Sequence, residues 1–135
     1  MKRFISAICA ALLLTSLIGC TQNAPVTYEK PEGMSQETFD LGLQAVELIQ
    51  SYLDGKITTT EAYDKVKEIT ASLDSLSHSD PLESANNLSV RNLIAESGIC
   101  LLEQSYIEEF GDELGDPMTD LANLLKEIRG VLGIK

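Results

Sequence analysis

Tryptophan is absent from the 135 residues, histidine occurs once and cysteine three times. A zinc site needs several Cys or His ligands, and past residue 20 only His78 and Cys100 remain, too few to build one. Aromatic residues make up 5% of the chain, which leaves no tryptophan to stack on a sugar ring. Positive charge is also scarce: 10 Lys and Arg face 21 Asp and Glu, for a net charge of −11. Nucleic-acid binders need a cationic surface to displace counterions, so nucleic acid is excluded as a partner. Docking on anionic lipid through basic patches is excluded by the same shortage. No glycine-rich phosphate loop occurs. No long stretch of β period, no solenoid repeat and no low-complexity run occurs either. What remains, at 44% hydrophobic and 23% charged residues, is ordinary globular material of a length that supports one compact domain.

The first segment is the most informative. Lys2 and Arg3 precede an uncharged run from Phe4 to Ile18, with Ala10, Ala11, Leu12, Leu13 and Leu14 at its centre. The run is shorter than the roughly 20 apolar residues of a membrane span and has the layout of a secretory signal peptide. It ends in Leu17-Ile18-Gly19-Cys20. This resembles the lipobox of bacterial lipoproteins. The resemblance covers about the first 22 residues and leaves the body unassigned. It implies that residues 1–19 are a removed leader and that Cys20 becomes lipidated by diacylglycerol and further acyl chains such as palmitate. The partner so implied is a membrane, held through that lipid, and the location is outside the cytoplasm on the cell membrane. Thr21 stands where an Asp would retain such a protein at the inner membrane, so the outer membrane is implied if the organism has two. Two or more acyl chains anchor stably, whereas one does so only marginally.

Residues 20–34 form the lipidated Cys and a tether. Pro25, Pro31 and Gly33 interrupt a stretch with little apolar periodicity, which favours extended backbone. Residues 35–135 read as a single all-α domain, a small bundle of about four helices near 35–54, 58–76, 81–110 and 117–131. Ser35 starts the first and Gly55 ends it. Phe39, Leu43, Val46, Ile49 and Leu53 form one apolar face, and Leu41, Ala45, Leu48 and Tyr52 a second beside it. The second helix carries a narrow stripe of Ala62, Val66, Ile69, Leu73 and Leu76, and Thr58 with Glu61 has capping-box spacing. Asp80 with Pro81 opens the third helix, and Glu83 offers another capping box. Its longest regular seam is Leu88, Asn92, Ala95, Ile99, Leu102, Tyr106 and Phe110, which predicts a central, buried helix. Gly98 allows a bend or a close helix contact. The fourth stripe is Met118, Leu121, Leu125, Ile128 and Leu132, with Gly130 and Gly133 expected to fray its end.

Chemistry is sparse. His78 sits between two serines without any catalytic signature and reads as a solvated loop residue. Cys100 lies on an apolar flank and reads as a small core hydrophobe. Asn92 is either a buried register-fixing residue or a surface one. Glu108, Glu109, Asp112, Glu113, Asp116 and Asp120 cluster around a loop. Oxygen ligands suit calcium, and Asp112, Asp116 and Asp120 are weak metal candidates, but the EF-hand order is missing. The sequence therefore predicts a membrane-anchored, non-enzymatic envelope or protein-interaction module without a cofactor, with a protein partner met by the wide apolar faces of the first and third helices. The alternative is a cation or small-ligand binding module that uses the acidic loop from Glu108 to Asp120.

Overall fold

A computed structural model describes residues 28–111 and 115–134. Four helices follow one another: α1 Gln36–Leu53, α2 Thr59–Ser75, α3 Pro81–Phe110 and α4 Pro117–Val131. No strand occurs among the described residues. The expected bundle is present, with helix bounds within a residue or two of the sequence expectation. The signal peptide, Cys20 and most of the tether lie outside the described residues. No helix among the described residues is long and apolar enough to cross a membrane.

Each start is held by a side chain that takes up exposed backbone amides. Ser35 Oγ accepts from the Thr38 amide at 3.1 Å. The Thr58 amide donates to Glu61 Oε2 at 2.9 Å while the Glu61 amide donates to Thr58 Oγ1 at 3.3 Å, a complete capping box. Asp80 Oδ1 accepts from the amides of Leu82 and Glu83 at 2.7 and 3.3 Å. The expected second box is only half made, because the Glu83 carboxylate turns towards His78 Nδ1, 3.7 Å away. Gly55 and Gly111 close α1 and α3 in the left-handed conformation.

Tight connections make neighbouring helices antiparallel. α3 packs most extensively on α2 and α4, and α1 closes the bundle against both. Ile49, Leu73, Ile94, Leu101, Leu121 and Ile128 are fully buried at the centre. The stripes read for α2 and α4 face this core, with Leu76 and Met118 at its margin. Gly98 serves close approach: a Cβ there would meet Val66 Cγ1 of α2 at 3.2 Å.

Both ends of the domain are more firmly tied than their sequence suggested. Met34, placed in the tether, is only 1% exposed. Asn86 Nδ2 of α3 donates to the Gly33 carbonyl at 2.6 Å, and Lys30 Nζ donates to that of Met34. Gly33 lies at φ +73°, where a Cβ would fall 2.2 Å from Leu82 Cδ2. A polar relay secures the same end: Thr38 Oγ1 donates to Asn87 Oδ1 at 3.1 Å, and Asn87 Nδ2 donates to the Leu73 carbonyl at 3.1 Å. The expected fraying after α4 does not occur. Gly133 adopts φ +68°. The Ile134 amide reaches back to the Arg129 carbonyl at 2.9 Å, while Leu132 and Ile134 are buried.

Candidate functional site

α3 is apolar on more than one side, and the bundle covers only part of it. Val90, Ile94, Ser97, Cys100 and Leu101 point inwards and are buried. The expected central seam points the other way. Leu88 is 58% exposed, Ile99 57% and Phe110 61%, with Leu102 and Tyr106 also exposed. Asn92 is exposed and Ala95 half-buried, so Asn92 fixes no buried register. The reversal has a steric cause. The inner face carries the small residues Ser97 and Gly98, and Gly98 lets α2 approach. Ser97 Oγ donates to the Leu93 carbonyl at 3.0 Å, which satisfies it inside the core. A pattern search rewards large apolar side chains and therefore selects the outer face.

The exposed seam is a continuous feature, with residues three or four apart along one side of the helix. Five large apolar side chains on one face of a 30-residue helix exceed the scattered exposure normal for a soluble surface. At its far end the rings of Tyr106 and Phe110 stack with centroids 5.8 Å apart.

Grooves flank this ridge. Towards α2, a groove of about 290 Å³ is lined by Tyr63, Thr70, Ala71, Ile99 and Leu102. Its charges have partners: Lys67 Nζ stands 5.3 Å from the Tyr63 ring centroid, and Asp74 is held by Arg91 through contacts of 2.9 and 3.3 Å. Towards α4, a groove of about 480 Å³ has Ile99, Cys100 and Leu124 as its apolar lining. Glu96, Glu103, Asp120 and Glu127 line it too, and no Lys, Arg or His does. Cys100 registers the local field. Burial raises its thiol pKa above the usual value, and Glu103, Asp120 and Glu96 raise it further. Cys100 is buried, as expected of a core hydrophobe, and its charged form is disfavoured.

Among the described residues the other candidates do not converge. Asp112 and Glu113 lie outside the described residues. Asp116 caps α4, accepting from the Thr119 amide at 3.1 Å and the Thr119 hydroxyl at 2.6 Å. These bonds lower its pKa below the usual carboxylate value. Glu108 Oε1 accepts from the buried Thr59 hydroxyl at 2.7 Å, facing the start of α2. Of the two weak metal candidates among the described residues, Asp116 and Asp120, the second lines the groove between α3 and α4. No group of three or more His, Cys, Asp or Glu able to hold a metal ion occurs among the described residues. His78 is not solvated, contrary to expectation. Its side chain is 7% exposed, its Nδ1 faces Glu83, and its Nε2 is buried without a hydrogen bond.

Sequence reading missed the pairing of Glu96 and Glu103 with Asp120 and Glu127 across two helices. A signal was available: each pair is separated by seven residues, which places both members on one helix face. No family model, characterised protein or solved structure matches the chain.

Proposed function

We propose that this chain is a lipid-anchored, non-enzymatic interaction module of a bacterial envelope, and that it meets a protein partner through the outer face of α3. The observation that carries the reading is the exposed seam from Leu88 to Phe110. Leaving such residues in water forgoes roughly 1.5–3 kcal/mol for each large side chain that could be buried, so a partner gains by covering them. Lipid anchoring rests on Leu17-Ile18-Gly19-Cys20 and the charged, then apolar, leader before it.

A photo-crosslinking amino acid placed at Ile99, and for comparison at Gln44 on α1, tests the surface in intact cells. The Ile99 position should give a discrete protein adduct and Gln44 none. Equal adducts at both positions, or none at Ile99, would remove the seam from consideration. Anchoring is tested separately: fatty-acid labelling should mark the wild type but not Cys20→Ser.

A further inference from the structure

We propose that the groove between α3 and α4 receives a cationic amphipathic helix from the protein partner. This rests on the reading of the α3 face as an interaction surface and specifies what covers it. Ile99 and Leu124 are part of its apolar lining, with Glu96 and Glu103 contributed by α3 and Asp120 and Glu127 by α4.

Two observations define the occupant. The first is spacing. The α3 side of the groove carries Glu96, Ile99 and Glu103 at intervals of three and four residues, and the α4 side Asp120, Leu124 and Glu127 at intervals of four and three, the spacing at which one helix packs along another. Glu96 to Glu103 and Asp120 to Glu127 each span seven residues, or about 10.5 Å along their helices. The two sides are therefore carboxylate rails with a heptad period. A helix with apolar residues in its central stripe and Lys or Arg every seven residues on both flanks matches apolar lining and rails together.

The second observation is sign. The groove has four carboxylates and no cation of its own, so complementary charge must come from the occupant. A second copy of this chain would bring the same carboxylates and oppose them with like charge. An anionic lipid surface is repelled for the same reason.

The absence of tryptophan gives a clean assay, because a single tryptophan in a peptide is then the only indole present. The probe is a 21-residue peptide with Leu and Ile in the central stripe, Lys on both flanks and one Trp in the stripe. Titrated against the full chain in a non-ionic detergent, its emission should shift to the blue as the indole is buried. Glu96→Gln, Glu103→Gln, Asp120→Asn and Glu127→Gln together should weaken binding about tenfold or more, as should salt raised well above about 0.15 M. Removing four charges elsewhere, with Glu32→Gln, Glu37→Gln, Glu47→Gln and Asp64→Asn, should change it less than about threefold. Ile99→Ser, at an exposed position that leaves the core intact, should weaken binding while preserving the helical spectrum.

Equal effects of the two charge sets would overturn the proposal in favour of general acidity. Equal binding of a peptide with Glu replacing Lys would also overturn it. Self-association that Ile99→Ser abolishes in sedimentation would assign the face to a second copy, and Ile99-dependent binding to anionic vesicles would assign it to lipid. In-cell adducts at Ile99 combined with charge-blind peptide binding would reject the cationic helix alone. Lack of adducts would reject the underlying interaction reading.

Discussion

Leu101 and Leu102 are adjacent in the chain and opposite in consequence. Leu101 is sealed between helices, whereas Leu102 lies on the open side of α3. Leu101→Ala removes packed methyl groups and leaves a cavity, so it should cost about 2–5 kcal/mol. Leu102→Ala removes groups already in contact with water and should cost less than about 1 kcal/mol. Urea unfolding of the two variants checks this, and similar losses would mean that both sides of α3 are covered. The same inversion applies to binding: Leu102→Ala should weaken a partner that Leu101→Ala disturbs only by unfolding the domain. Tyr52 and Thr59 show another residue-scale detail hidden in the sequence. The Tyr52 hydroxyl lies 3.2 Å from that of Thr59, which in turn donates to Glu108. A three-helix polar link is thereby built from residues with no shared motif.

At the level of elements, local chemistry was legible wherever it was local. The caps at Ser35, Thr58, Asp80 and Asp116 use donors within three residues, so the sequence alone locates the helix starts. The narrow stripes of α2 and α4 were legible because each helix has one clear apolar side. α3 was not, because its burial depends on which sides its neighbours choose. Glu103 and Asp120 were similarly obscure as a pair, since only folding brings their helices together. The caps also give a pH dependence. Glu61 is held below its usual pKa, first by the Thr58 amide and then by the Thr58 hydroxyl. A carboxylate with a depressed folded pKa stabilises the fold above its unfolded value near 4.3, and that contribution disappears as pH falls through the folded value. Glu61→Gln retains a capping side chain but cannot titrate. The wild type should therefore be more stable than Glu61→Gln at pH 7 and lose the advantage below about pH 4. Urea midpoints measured across that range provide the check. A constant difference would show that the Glu61 charge does not contribute.

For the whole molecule, the docking of Gly33 and Met34 against α3 sets where the chain leaves the bundle. Given lipid on Cys20, the leash to Pro31 spans eleven residues, at most about 38 Å and on average nearer 18 Å. On the proposed anchor, the start of α3 would lie nearer the point of attachment than its end. Leu88 marks the near end of the exposed ridge, and Phe110 lies about 33 Å farther along the helix. On that reading the ridge would stand off the bilayer like a mast, and a helix lying flat in the headgroups would meet only its foot. A partner covering its length would then itself stand up from the membrane, as a stalk or the extension of a spanning helix does. Dyes at Leu88 and Phe110, quenched by acceptors on lipid headgroups, would measure this tilt. Quenching should be stronger at Leu88, and the reverse order would lay the mast down.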